Sequence, residues 1–302
     1  MSIVAAVDIG TNSVKMAVGD GEQILLDTVK TTRLGKGVDA TGQLDPEAMA
    51  RTLAALAEFA TQAQALGAER IAAVGTSALR DASNGPAFVV EATQVLGGPV
   101  EVISGEREAQ LIYLAARRDT SLALPPDDLL ATTDVGGGSS EVVLGQGDAL
   151  QFFTSLQMGA VRLTERTQPS DPWIAPDLER AREIIGPFVV ALPHTPALVV
   201  VSSGGTASYL AAMEQAEAGN ASTREAIHGF RLTTSRLERR IALLAALPLA
   251  QRKSVPGLDP ARADVIVAGA LIQHALLLAL GADTLIVSAR GLRYGLMYGL
   301  IA

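Results

Sequence analysis

The sequence contains no cysteine, which excludes disulfides, zinc thiolate sites and cysteine nucleophiles and fits a reducing compartment. Histidine is almost as scarce: His194, His228 and His274 are the only three, and they lie too far apart to show metal-ligand spacing. Each reads as a structural or surface residue. Positive charge is also short, with 24 Lys and Arg against 32 Asp and Glu and a net charge of −8. Generic nucleic-acid binding needs a basic face, so no nucleic-acid partner is expected, and a polyanionic ligand would have to be met by local arginines and backbone donors. Long hydrophobic runs are missing as well. The most apolar stretch, 265–280, is interrupted by Gln273 and His274 and bracketed by Asp264 and Asp283; it is too short to span a bilayer and reads as a buried helix. The chain starts on a strand-like Met1-Ser2-Ile3-Val4, without a basic region or an apolar segment of signal-peptide length, so a cytoplasmic protein with no membrane partner is expected.

What is present is an internal repeat. Asp8-Ile-Gly-Thr-Asn-Ser-Val-Lys-Met-Ala-Val-Gly-Asp-Gly returns as Asp134-Val-Gly-Gly-Gly-Ser-Ser-Glu-Val-Val-Leu-Gly-Gln-Gly at a constant offset of 126 residues, without a gap. Asp8 falls on Asp134, Gly10 on Gly136, Ser13 on Ser139, Gly19 on Gly145 and Gly21 on Gly147. Apolar stretches on both sides make each copy a strand, a tight turn and a second strand. Glycines let backbone amides approach an anion, and Ser and Thr hydroxyls add donors. An aspartate at the strand end suits a hard divalent cation, which prefers carboxylate oxygens and bridges to phosphates; Asp8 could merely cap its own turn, but the repeat favours metal or phosphate duty. A single Gly-rich turn after a strand is commonplace, whereas two superimposable copies suggest a duplicated phosphate-binding unit. The copies differ where chemistry would demand it: Lys15 stands where Glu141 stands, and Asn12 where Gly138 stands. The second loop is therefore expected to hold the reacting phosphate and metal, and the first to act as an opposing clamp.

The length of 302 residues suggests two domains, and 48% hydrophobic content suffices for packed cores. A polar loop, 31–37, could present Arg33 and Lys36. A helix follows, with Asp45 as N-cap, Pro46 at its first position, Met49, Leu53, Leu56, Phe59 and Leu66 at helical spacing, and Gly67 as its stop. Strand 71–76, helix 85–96, strand 100–103 and a helix opened by Ser104-Gly105 and running to Arg117 complete the first half. Asp119 to Asp128, with Pro125 and Pro126, reads as a linker. The second half repeats the pattern: hairpin 129–152, a helix near 176–192, strand 197–201 running into Ser202-Ser203-Gly204-Gly205-Thr206, helices near 206–218 and 233–246, a long helix from Pro260, strand 284–288 and a closing helix 291–301. Alternating strands and helices around two related hairpins imply α/β layers in both halves. Domain boundaries are expected at 1–120 and 121–302, with the terminal helix, 291–302, packing back on the first domain.

With these motifs in order, the chain resembles the actin-like superfamily of sugar kinases, Hsp70 ATPases and actin, and within it the exopolyphosphatase and guanosine pentaphosphate phosphatase family. The residues that carry the closer likeness are Val7 to Ser13, Gly75 to Arg80, Ile103-Ser104-Gly105 through Glu108-Ala109, Asp134 to Glu141, and Ser288 through Gly291-Leu292-Arg293. The resemblance spans essentially the whole chain and implies two related actin-like, ribonuclease H-like α/β domains around a central cleft that closes on a phosphate chain. It also implies a short, two-domain member without the C-terminal helical domains of longer relatives, and a homodimer.

The resemblance implies site roles position by position. Glu108 matches the family's catalytic base, although a glutamate near a helix N-terminus is favoured by the helix dipole whatever its function. Asp134 and Glu141 match acids linked to the metal and the attacking water, with Glu141 counted among the catalytic residues and Asp8, Asp134 and Glu141 as metal ligands. Gly136, Gly137, Gly138 and Ser139 match the phosphate cradle, Asn12 and Ser13 the facing loop, and Arg80 a phosphate-binding arginine, which could otherwise pair with Asp81. Gly205 and Thr206 are further phosphate-binding candidates. The implied cofactor is Mg²⁺, or Mn²⁺ in its place; the implied substrate is inorganic polyphosphate, with guanosine pentaphosphate as a second candidate. Positioning and charge neutralisation are most of what phosphoryl transfer requires, so carboxylates, amides and one guanidinium suffice. Two departures stand out. The family's Glu-Glu-Ala-Arg becomes Arg107-Glu108-Ala109-Gln110, and its Ser-Asp-x-Gly-x-Arg-Glu-Gly becomes Ser288-Ala289-Arg290-Gly291-Leu292-Arg293-Tyr294-Gly295, losing both acids. The alternatives are an actin-like ATP-dependent small-molecule kinase and a non-catalytic binder of the alarmone or polyphosphate. Against the kinase, Asn12-Ser13 stands where such kinases use Gly-Thr.

Overall fold

A computed structural model describes residues 2–195 and 199–301. The chain divides into two compact units, residues 1–115 with 292–302 and residues 116–291.

In unit 1 the elements are β1 (Val4–Ile9), β2 (Ser13–Gly19), β3 (Ile24–Thr31), α1 (Val38–Thr41), α2 (Pro46–Ala65), β4 (Arg70–Gly75), α3 (Ser77–Asp81), α4 (Gly85–Leu96), β5 (Val100–Val102) and α5 (Gly105–Arg117), whose last two residues lie past the division. The sheet order is β3-β2-β1-β4-β5, antiparallel through the β1–β2–β3 meander and parallel from β1 to β4 and β5. β1 is buried on both faces, as a central strand between helical layers must be. Its odd residues, Ala5, Val7 and Ile9, pack with Leu56 and Phe59 of α2 and Phe88 of α4. Its even residues Val4 and Ala6 pack with Ala115, Tyr294, Met297 and Tyr298. The expected α2 is present with its cap: Asp45 Oδ1 accepts from the Ala48 amide at 2.9 Å. Strand β3 and helix α1 escaped the sequence reading, because β3 is a half-buried edge strand without clean alternation.

Unit 2 continues with β6 (Leu129–Val135), β7 (Ser140–Gln146), β8 (Ala149–Leu156), α6 (Ala160–Thr167), α7 (Ala175–Val189), β9 (Val199–Ser203), α8 (Gly204–Glu217), α9 (Arg224–Ile227), β10 (Arg231–Thr233), α10 (Thr234–Ala246), α11 (Leu249–Arg252), α12 (Ile266–Ala279) and β11 (Thr284–Val287); α13 (Leu292–Ile301) belongs to unit 1. Its sheet order, β10-β11-β9-β6-β7-β8, repeats that of unit 1 with one added edge strand. The internal repeat is thus a repeat of topology: β6, β7, β8, β9 and β11 take the places of β1, β2, β3, β4 and β5. The mixed α/β class expected from the sequence is what forms, with a separate sheet in each unit.

Three expectations need correction. The hairpin 129–152 is a three-stranded meander reaching Leu156. Residues 197 and 198 of the expected strand lie outside the described residues, and β9 runs from Val199 to Ser203. The long helix does not begin at Pro260: a single 3₁₀ turn, 260–262, is closed by Asp259, which accepts from the Ala261 amide at 2.9 Å, and the helix proper starts at Ile266. That helix is buried nearly all round, and Gln273, which breaks its apolar run, is fully buried because it accepts from Ser202 Oγ at 2.7 Å. No helix among the described residues is long and apolar enough to cross a membrane.

Candidate functional site

The two Asp-loops have the same turn. The Gly10 amide donates to the Ser13 carbonyl at 3.1 Å, and the Gly136 amide to the Ser139 carbonyl at 3.0 Å. A Cβ on either glycine would stand 3.0 Å from that carbonyl oxygen. In each copy a neighbouring segment ties back the loop carbonyls. Thr32 and Arg33 amides donate to the Asn12 carbonyl and the Gly35 amide to the Thr11 carbonyl; in the second copy the Ala160, Val161 and Arg162 amides hold the Gly136 and Gly137 carbonyls, and Arg162 Nε donates to the Gly138 carbonyl at 2.8 Å. Asn12, Ser13 and Ser139 are buried.

What differs is the residue opposite each aspartate. In unit 2, Asp134 pairs in register with Glu141 across β6 and β7. Directly opposed residues share a face with Cβ atoms roughly 5 Å apart. Both carboxylates are buried and held by hydroxyls: Ser203 Oγ donates to Asp134 Oδ2 at 2.7 Å, and Ser155 Oγ to Glu141 Oε1 at 2.8 Å. Gly204, at φ +87°, brings the chain over Asp134 so closely that a Cβ would stand 2.3 Å from Oδ1. Only glycine satisfies both the conformation and the space. The Arg262 guanidinium lies over Gly205, within 2.9 Å of where its Cβ would be, and 5.6 Å from the Tyr209 ring centroid. Burial pushes Arg262 below its ordinary value, opposed by Tyr209, Asp259 and Asp134. Thr206 is engaged in structure, its hydroxyl donating to the Val135 carbonyl at 3.1 Å.

Among the described residues no group of three or more His, Cys, Asp or Glu gathers into a cation cage. Magnesium does not require one, since it is commonly held by one or two carboxylates while substrate phosphates and water complete its shell. Asp134 and Glu141, each oriented by a hydroxyl, fit that donor set.

In unit 1 the residue opposite Asp8 is Lys15, whose Nζ donates to Asp8 Oδ2 at 2.8 Å. The other chemistry of this unit sits where β4 ends beside β1: the Thr76 amide donates to the Ile9 carbonyl at the start of α3. From α3, Arg80 extends to Glu108 on α5, and its Nη1 donates to Glu108 Oε2 at 2.8 Å and to the Ile103 carbonyl at 2.9 Å. Its Nη2 is buried without a hydrogen-bond partner. Leaving a guanidinium nitrogen in that state costs free energy, so the atom is suited to a ligand oxygen. Arg80 therefore pairs with Glu108 rather than Asp81, which accepts from Ser77 Oγ.

The altered C-terminal motif is engaged in structure: at its first changed position the Ala289 amide donates to His228 Nδ1 at 3.2 Å, and its neighbour Arg290 is bound as well. Arg290 Nη1 reaches the buried Asp119 Oδ1 at 3.0 Å, and His228 Nε2 lies 3.3 Å from Asp119 Oδ2. Burial works against the Asp119 charge, but hydrogen bonds from His228 and Ser121 and the Arg290 charge outweigh it and hold its carboxyl below the usual range. In unit 1, Arg293 grips Asp27 through Nε and Nη2 at 2.9 and 2.7 Å, and the Tyr294 hydroxyl donates to the same carboxylate at 2.8 Å. Ser203, Ser155, Arg162 and Arg262 were not singled out from the sequence. Ser203 lay inside a quoted motif, whereas Arg262 was absorbed into a helix that starts four residues later.

The profile of the Ppx/GppA phosphatase family matches residues 11–302. Exopolyphosphatase 2 of Mycobacterium tuberculosis is 35% identical over 320 aligned positions, covering 98% of this chain and 98% of that protein. The crystal structure of the Aquifex aeolicus member of the Ppx/GppA family superposes with a TM-score of 0.81 at 31% identity, covering 99% of this chain and 98% of that one. An exopolyphosphatase from Cytophaga hutchinsonii shares the fold, with a TM-score of 0.89 at 24% identity over 99% and 98% of the two chains.

Proposed function

Because the chain belongs to the Ppx/GppA phosphatase family and is a phosphohydrolase, we propose that it removes the terminal phosphate of inorganic polyphosphate, with guanosine pentaphosphate as a second substrate. The observation that carries this reading is the Arg80–Glu108 pair, a carboxylate fixed beside a guanidinium that has one buried, unpartnered nitrogen. Glu108 takes a proton from water as the water oxygen bonds to the terminal phosphorus. The bridging P–O bond breaks, and its electron pair leaves on the shortened chain, giving orthophosphate. Arg80 Nη2 meets charge on the transferring phosphoryl oxygens. Gly10 and Gly136 spend their amides on closing their own turns, and the rest of the two loops, 11–13 and 137–139, holds phosphate groups. Asp134 and Glu141 would hold Mg²⁺, which when bound neutralises charge on the phosphate oxygens. Asp8 is left to its ion pair with Lys15.

Phosphate release from long-chain polyphosphate, guanosine pentaphosphate and ATP, each with and without Mg²⁺, tests the reading. Metal-dependent release from polyphosphate is expected, with a loss of about 100-fold or more in Glu108→Gln, the usual range for a general base. Near wild-type release by Glu108→Gln would refute the assignment of the base. ATP-dependent phosphorylation of an added small molecule without polyphosphate hydrolysis would replace the reading with a kinase.

A further inference from the structure

Unit 1 contains a cavity of about 620 Å³ that the chemistry above does not use. Arg33, Lys36 and Arg51 line it, with Thr41 and Gln43 as uncharged polar groups. In a chain of net charge −8, three cationic side chains around one cavity are a local reversal of sign. Two acids also lie on the wall, so the cations exceed the acids by one. Asp45 is committed to the Ala48 amide, and Glu47, whose side chain is 89% exposed, sits at the rim 3.9 Å from Arg51. The cavity is tied to the first Asp-loop through the backbone. The segment that carries Arg33 and Lys36 is the one whose Thr32, Arg33 and Gly35 amides hold the Asn12 and Thr11 carbonyls, at 3.1, 2.9 and 2.8 Å. Arg33 has φ +57°, a left-handed conformation uncommon for a residue with a side chain. Those hydrogen bonds on either side of it hold the strained backbone in place, and such strain tends to persist where the surroundings over-determine it at functional positions.

We infer that this cavity is a second subsite for a run of phosphate groups, taking the non-reacting part of a polyphosphate chain whose nearer phosphates lie on the Asn12–Ser13 loop. The inference rests on the polyphosphate reading. The chemistry is a densely charged linear anion meeting two guanidiniums and an ammonium. Arginine forks match phosphate oxygens in pairs, and lysine adds a point charge. Binding of this kind releases condensed counterions, so it weakens steeply with salt in proportion to the number of contacts. Short substrates that fill only the reacting end would not reach the cavity. It would therefore set chain-length preference, and leave the rate of the chemical step alone.

The test is direct binding to the full chain, read by titration of long-chain polyphosphate, tripolyphosphate and orthophosphate across a salt series, together with kcat and KM for the two polyphosphates. The variants are the triple Arg33→Ala, Lys36→Ala, Arg51→Ala and the single Lys36→Glu, at an exposed position. Affinity for long chains is expected to fall about tenfold in the triple variant and about threefold in Lys36→Glu. The slope of log affinity against log salt should shrink by about two in the triple variant. For tripolyphosphate, KM and kcat should stay within twofold. Unchanged long-chain affinity in both variants overturns the inference. So does an equal loss for orthophosphate, which would make the cavity a site for the free ion. If wild-type protein hydrolyses no polyphosphate, the functional reading fails on its own, and the binding arm still decides whether the cavity holds the chain.

Discussion

Replacing Arg80 with lysine separates the two jobs that this side chain is assigned. In the native protein Nη1 is spent on Glu108 Oε2 and the Ile103 carbonyl, while Nη2 is buried and unpartnered. Lysine keeps the charge and can keep the ion pair with Glu108, but as a single ammonium it cannot also occupy the position of Nη2. The loss should therefore be one charge-assisted hydrogen bond to the transferring phosphoryl group, about 1.5–3 kcal/mol. With 1.4 kcal/mol per factor of ten, kcat/KM on polyphosphate should fall roughly 10- to 100-fold. Arg80→Ala removes the charge as well and should fall at least tenfold further. The fold should tolerate the lysine, because the Glu108 partner survives, so the midpoint of thermal unfolding should drop by no more than about 4 °C. Steady-state phosphate release by both variants, with melting curves as controls, makes the comparison. If Arg80→Lys keeps kcat/KM within twofold of wild type while remaining folded, Nη2 does not serve the substrate and the reasoning is wrong.

Three further outcomes follow from the structure. Gly204→Ala places a methyl 2.3 Å from Asp134 Oδ1 at φ +87°, so activity should fall at least tenfold while far-UV circular dichroism stays unchanged; a fully active variant would mean that Asp134 can move without consequence. Asp27→Ala removes the two-pronged carboxylate partner of the buried Arg293 guanidinium, now held above its ordinary value because Asp27, with Tyr294 and Asp8, outweighs the cost of burial. The expected loss is about 3–5 kcal/mol in chemical denaturation, and a change below 1 kcal/mol would show that water replaces the carboxylate. Asp119 has a depressed carboxyl, so its contribution to stability is present above its unfolded value of 3.8 and is lost as pH falls below that toward the folded value. Asp119→Asn should therefore cost about 1–2 kcal/mol at pH 7, modest because Arg290 is one-third exposed, and the gap to wild type should narrow near pH 3; a gap independent of pH would assign the loss to packing.

Sequence alone determined the α/β class, the duplication and the positions of the two Asp-loops. Regular apolar spacing, the Asp45 cap and the 126-residue repeat are local signals, and local signals survive without the fold. The repeat even located the exchange of Glu141 for Lys15, which the register then turned into a carboxylate pair in one hairpin and an ion pair in the other. What only the tertiary structure decided are the partnerships between residues far apart in the chain. The choice of Glu108 over Asp81 by Arg80, the hydroxyl of Ser203 on Asp134 and the guanidinium of Arg262 over Gly205 depend on which elements end beside one another. Hydrogen bonds and ion pairs act over a few ångströms, and spacing along the chain does not encode distances that only the packing of distant elements creates. The two lost acids near the C-terminus illustrate the difference. In the sequence Ala289 and Tyr294 are departures from a motif; in the fold the Ala289 amide donates to His228 Nδ1 and the Tyr294 hydroxyl to Asp27.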